Sequence, residues 1–277
     1  MAETQPQIEA TTTIEMTRRF LECQRCPQDF GNGDGVLRRA TIDGEEYWVP
    51  PRGWAGSTAI GPRPIVVVAH NPGAPSHEEL KYLRTLGVSA PSEGGEVPTS
   101  AARFILDYVT SMFVSPERNA MTIYHRKVVG YVRMALWLLR EADADYANLD
   151  PLQGDWRDLA WITDAYKCST WIESGPRIPK HLRAECVRRH FAIEVGRFQP
   201  RVLLALGGPA ASALRDAGHA HVTLRHPSNG CPRCDDESHD SALAQVAELL
   251  GHADGLAVAT SLRFREFRRE LQDDLFG

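Results

Sequence analysis

The 277-residue chain has no apolar stretch approaching a membrane span, and its first thirty residues contain no apolar run of the kind an export signal needs. Arg18 and Arg19 precede only Phe20 and Leu21. A soluble, cytoplasmic protein with no membrane partner is expected. Cysteine is also sparse. Six in a chain of this size are too few for a disulfide-stapled mini-fold. Two of the spacings, Cys23 to Cys26 and Cys231 to Cys234, are C-x-x-C, which in a reducing compartment points to metal. A basic excess is missing as well: 31 Lys and Arg against 36 Asp and Glu give a formal charge of −5. That argues weakly against nucleic acid unless charge is segregated. The segments 177–201 and 263–269 are locally basic, and acid collects in the tails and in 235–240. There is no P-loop and no pair of metal-binding carboxylates, so neither a nucleotide cofactor nor nucleotide-hydrolase chemistry is expected. No internal repeat is present.

What the chain does have is apolar content, 43%, enough to bury a full core. One domain over 1–277 is expected, with a polar, frayed segment over 1–13, an irregular insertion with short strands over 31–63, and an extension over 231–277. Four apolar runs read as strands: 64–69, 159–163, 201–206 and 221–224. Helical spacing marks 77–86, 99–113, 126–141, 179–197 and 209–217, and a further helical pattern leads from Ile14 to Cys23. The alternation implies a three-layer αβα domain around a mainly parallel four-stranded sheet. Ligands of such sheets bind beyond the carboxyl ends of the strands, where Asn71, Asp164 and His226 lie.

Here the chain resembles the uracil-DNA glycosylase superfamily. A strand running into Asn71-Pro72-Gly73 resembles its first motif, and one running into His226-Pro227-Ser228 its second. Between them, Trp161 to Cys168, Cys186, the strand from Gln199 to Gly207 and Ala210-Ala211 resemble the iron–sulfur branch, so the likeness covers Cys23 to about Asn229. Each piece alone is a common turn sequence, but four in the family's order are a strong joint signal. The resemblance implies a DNA partner, a flipped base in a pocket, and scission through an oxocarbenium-like sugar. It gives Asn71 the positioning of water and His226 a hydrogen bond to the base oxygen O2 as charge develops. The iron–sulfur branch usually has alanine where Asn71 stands; the mismatch-specific and single-strand-selective branches have asparagine. Pro227, Ser228 and Asn229 form the loop expected to enter DNA, and a monomer is expected.

The departure from the family is Asp164, which stands where uracil-removing members have asparagine. An ionised carboxylate offers acceptors only and would meet uracil O4 with a lone pair, a mismatch costing roughly 1–3 kcal/mol. Cytosine presents an amino donor there, and a nearby Asp favours the N3-protonated base, a better leaving group. Gly73 and Ala74 join Asp164 in base recognition. The small residues of Ala74-Pro75-Ser76-His77 stand where classical uracil enzymes place a tyrosine against a C5 methyl, so a C5 substituent is admitted. The favoured substrate is therefore hydroxymethylated or glucosylated cytosine, as in antiviral defence. The alternatives are ordinary uracil repair, with Asp164 protonated or acting indirectly, and a catalytically silent DNA-binding module.

Cys23, Cys26, Cys168 and Cys186 match, in order, the ligands of the branch's [4Fe–4S] cluster, which takes four thiolates. Spacing alone favours another set, a Cys₄ zinc site of Cys23, Cys26, Cys231 and Cys234. Stacking rings are open among Phe104, Tyr166 and Trp171. Lys167, His70, His77 and Glu78 flank the expected pocket.

Overall fold

The structure is a computed structural model. It describes residues 12–26, 36–58, 61–70, 75, 77–85, 96–114, 123–169, 180–227 and 233–277, the side chains of 78 and 180–182 excepted. The chain opens on helix α1 (Thr13–Leu21), whose Thr12 cap accepts the Glu15 N–H at 3.1 Å and which buries Met16, Phe20 and Leu21. A hairpin of β1 (Arg39–Ile42) and β2 (Glu45–Trp48) follows, turning at Asp43-Gly44 with both φ positive, at 54° and 81°. The sheet strands are β3 (Trp54–Ala55), β4 (Ile65–Ala69), β5 (Ala160–Asp164), β6 (Val202–Leu206) and β7 (Val222–Leu224). The helices after α1 are α2 (His77–Thr85), α3 (Thr99–Val114), α4 (Ile123–Ala142), α5 (Lys180–Cys186), α6 (Ala192–Phe198), α7 (Gly207–Asp216), α8 (Asp240–Leu250), α9 (Gly255–Ala259) and α10 (Leu262–Phe276).

Among the described residues the main sheet has five strands in the order β3-β5-β4-β6-β7. The four expected strands are all present and parallel, and β4 to β6 are buried along their whole length, as continuous apolar runs require. The expected count of four is corrected to five, because β3 adds an antiparallel edge. Two residues give no periodicity to read. What holds β3 is tertiary: Trp54 is fully buried, edge-on to Phe20 at 5.1 Å, and pairs with Thr163. The molecule is thus mixed α/β, a mixed sheet flanked by helices, with α7 packed on β4 and β6, and α4 and α8 packed on each other and on the sheet.

Two further departures bear on the site. The single helix expected over 179–197 is broken by a π-turn (Val187–Phe191) between α5 and α6, immediately after Cys186. The segment after 231 is helical. Arg268 of α10, buried, donates to the carbonyl of Cys234 at 2.7 Å and to Asp240 Oδ1 at 2.5 Å, fixing α10 and α8 to the chain that follows His226. No described helix is long and apolar enough to cross a membrane.

Candidate active site and cysteine cavity

Strand β5 delivers residues to two sites. Its last residue, Asp164, stands in register with Ala69 at the end of β4, so the carboxyl ends of the parallel strands are level there. Asp164 is buried, 7% exposed. The loop between β2 and β3 covers it: Asp164 N–H donates to the Gly53 carbonyl at 2.7 Å. At Gly53 φ is +94°, and a Cβ there would stand 1.8 Å from Asp164 Oδ2, so only glycine allows this approach. The neighbouring Arg52 is paired with Glu79 of α2, both nearly buried.

No described donor reaches the Asp164 carboxyl oxygens. Loss of water therefore dominates, and it pushes the carboxyl up to about 8, against the opposing fields of Lys167 and Arg52. At neutral pH Asp164 keeps its proton. That favours the protonated Asp164 weighed above as the alternative: a neutral carboxyl offers one donor and one acceptor.

Tyr124, at the start of α4, lies near His226 and within the field of Asp164. Burial raises its phenol, and the Asp164 charge adds to the shift; its ring centroid lies 5.9 Å from that of His226. His226 follows β7, with its Cβ 3.0 Å from the position a Cβ would take on Gly207, where φ is +80°. Partial burial lowers the His226 imidazole, which is neutral at pH 7. Tyr131 steadies the same chain by donating to the Arg225 carbonyl at 3.1 Å. His70, past β4, sets its ring edge-on to Tyr166 at 5.2 Å, and Pro227 is buried. His77 is exposed on α2. Phe104 stacks with Tyr108 at 6.1 Å, with Tyr82 beside both. Asn71, Gly73, Ala74, Trp171, Ser228, Asn229 and Cys231 lie outside the described residues, as does the side chain of Glu78.

Just beyond Asp164 the chain turns, and Lys167 and Cys168 reach the second site. Cys23, Cys26, Cys168 and Cys186, drawn from the end of α1, the turn after β5 and the end of α5, line one cavity with Lys167 and His190. Arg38 holds the C-x-x-C backbone in place, donating to the carbonyls of Cys23 at 3.0 Å and Cys26 at 3.1 Å. Leu37 N–H donates to the Ser169 carbonyl at 2.8 Å, tying that segment to the turn carrying Cys168. Burial and the neighbouring sulfurs raise the thiols of Cys26 and Cys168, and Cys186 is pushed up to about 12 by burial. The Lys167 backbone N–H faces the Cys186 sulfur and opposes that rise. Cys234, by contrast, packs its sulfur over Gly130 of α4 and donates its N–H to Gln272 of α10 at 2.9 Å.

No three described His, Cys, Asp or Glu side chains are drawn in to the spacing of a single-ion site. A polynuclear cluster, several atoms across, takes its thiolates at wider separation than one ion with Zn–S bonds of about 2.3 Å. Four thiols around one enclosed space, with a backbone N–H directed at one sulfur, suit the larger group.

Between the two sites lies a buried ion pair. Lys167 Nζ donates to Glu194 Oε2 at 2.6 Å and to the Asp164 carbonyl at 2.7 Å; Glu194 also accepts from Trp161 Nε1 at 2.8 Å and Thr163 Oγ1 at 2.7 Å. Glu194 has no exposed surface, and with three donors it is a compensated charge. Tyr124, Gly53, Glu194 and His190 carry no local signature in the sequence; only long-range packing brings them to these sites. No protein-family model and no curated protein sequence matches the chain.

Proposed function

We propose that the chain is a DNA glycosylase that excises a flipped cytosine-type base, favouring a C5-modified cytosine, and leaves an abasic site. The αβα arrangement of the uracil-DNA glycosylase superfamily is the fold this reading implies. The observation that carries it is the buried Asp164 carboxyl at the carboxyl end of the sheet, which has no hydrogen-bond donor among the described residues, with Tyr124 in its field and the His226 ring 5.9 Å from that of Tyr124. Burial of a polar group left without a partner costs roughly 1–3 kcal/mol, and no described donor offsets that cost at Asp164. A base edge supplies the missing partners. Against cytosine, the protonated carboxyl donates to N3 while its other oxygen accepts from the amino group.

The chemistry follows from the same proton. As the bond from C1′ to the base nitrogen breaks, Asp164 passes its proton to N3, so the base departs neutral. The neutral His226 imidazole donates to O2, where negative charge builds. Asn71 is proposed to hold the water that forms the new C1′–O bond, its surplus proton leaving to solvent. The small residues Gly73 and Ala74 are proposed to admit the C5 substituent, and such a specificity suits defence against DNA carrying modified cytosine. Cys23, Cys26, Cys168 and Cys186 would hold a [4Fe–4S] cluster whose contribution is structural, pinning the N-terminal segment to the end of β5.

One observation favours a second reading. The neutral carboxyl also matches uracil, donating to O4 and accepting from N3–H, so uracil excision is the competing activity. Abasic-site formation on oligonucleotides carrying uracil, cytosine, hydroxymethylcytosine or glucosylated hydroxymethylcytosine separates them. Release of the modified cytosines is expected. Release of uracil alone assigns the enzyme to uracil repair, and no release from any strand removes the glycosylase reading.

A further inference from the structure

His190 sits on the π-turn four residues after Cys186, and its ring lines the cysteine cavity. It is 2% exposed, and both ring nitrogens lack a hydrogen-bond partner. The ring is not loosely placed: Phe20 meets it edge-on at 5.1 Å, and the same Phe20 ring carries the Lys167 ammonium at 5.1 Å on its face. A neutral imidazole has one N–H donor and one acceptor, and leaving both orphaned in the interior is costly, because each loses its water without gaining a partner. The missing partner is an acceptor inside the cavity. The π-turn also has a use here: its extra residue lets Cys186 and His190 address the same space while α6 still presents Glu194 to Lys167.

We propose that His190 is a positioning residue for the cluster held by Cys23, Cys26, Cys168 and Cys186, donating its ring N–H to a cluster sulfur and raising the cluster's reduction potential. The inference rests on the cluster reading above, and goes beyond it by giving an unliganded side chain a role in cluster electronics. Hydrogen bonds to the sulfurs are among the levers that set such potentials, because they stabilise the more negative, reduced state. The cavity then offers two N–H donors, the Lys167 backbone at Cys186 and the His190 ring.

The test uses full-length protein purified without oxygen, as wild type, His190→Leu and His190→Gln, the last keeping an N–H donor without the imidazole. Iron and sulfide content is measured first. Wild type with no iron removes the cluster reading, and this inference with it. With four irons bound, the expected result is a midpoint potential lower in His190→Leu than in wild type and largely restored in His190→Gln. The iron–sulfur vibrational bands of wild type should also shift on exchange into heavy water more than those of His190→Leu. Equal potentials and equal isotope shifts in wild type and His190→Leu would reduce His190 to packing. If His190→Leu fails to hold iron, His190→Gln decides: wild-type iron and potential support the hydrogen bond, whereas loss of iron there too makes His190 a ligand or a packing residue and overturns the proposal.

Discussion

Two buried carboxyl groups lie on either side of Lys167, and they are treated in opposite ways. Glu194 is enclosed by Lys167, Trp161 and Thr163, all donating, so its charge is compensated where it stands. Asp164, which lends only its backbone carbonyl to Lys167, has a side chain with no described donor and a pKa pushed up to about 8. In the proposed function, the difference separates a carboxylate that holds structure from a carboxyl kept for a partner outside the fold. Desolvation makes the second energetically expensive, and that expense is what makes it able to hand over a proton near neutral pH.

The comparison is broken hardest by Asp164→Asn. The substitution removes the proton donor to N3 and fixes the donor–acceptor order that suits uracil. Excision of modified cytosine should fall on the order of 10³-fold or more, and uracil excision should appear or rise, read by single-turnover cleavage of both substrates. Fixing the proton loss to one residue requires the other end of the pocket as a control. His226→Ala should lower single-turnover excision on the order of 10²–10³-fold with little change in DNA affinity, as expected for a contact made mainly in the transition state.

The other carboxylate should respond in stability instead. Glu194→Ala leaves the Lys167 ammonium buried without its partner, and a loss of roughly 3–5 kcal/mol is expected in denaturant unfolding. Asp164→Asn should not lose stability in this way and should gain at high pH. The sign follows from linkage: a carboxyl whose folded pKa lies above its unfolded value favours the fold when protonated. That contribution is therefore complete at low pH and is lost as pH rises towards the folded value of about 8. The smallest expected effect is that of Tyr124→Phe. It removes the phenol hydroxyl while keeping the ring near His226, and should cost about 1 kcal/mol, a several-fold fall in excision rate.

Much of this was legible in the sequence, for reasons that differ by residue. The strands ending at Asp164 and before His226 read clearly because continuous apolar runs of Val, Ile and Leu belong to strands covered on both faces. The gathering of Cys23, Cys26, Cys168 and Cys186 followed from a family pattern, and the cavity they line agrees with that set; Cys234 lies elsewhere, against α4 and α10. The fifth strand was not legible, since Trp54-Ala55 is a strand only because the core around Phe20 makes it one. A protonated Asp164 was legible only as an alternative. A sequence shows a carboxyl but not the Gly53 backbone laid against it, and that contact is what removes the water. Tyr124 and His190 were hidden in helical segments where an aromatic or a histidine reads as ordinary packing.

The claim that Asp164 acts as a stored proton is tested most directly by single-turnover excision of hydroxymethylcytosine from a labelled oligonucleotide between pH 6 and 10, a range spanning its folded value of about 8. The account predicts a rate that is level at the acid end and falls about tenfold per pH unit above that value, as the carboxyl ionises. A rate unchanged or rising through that range would contradict it.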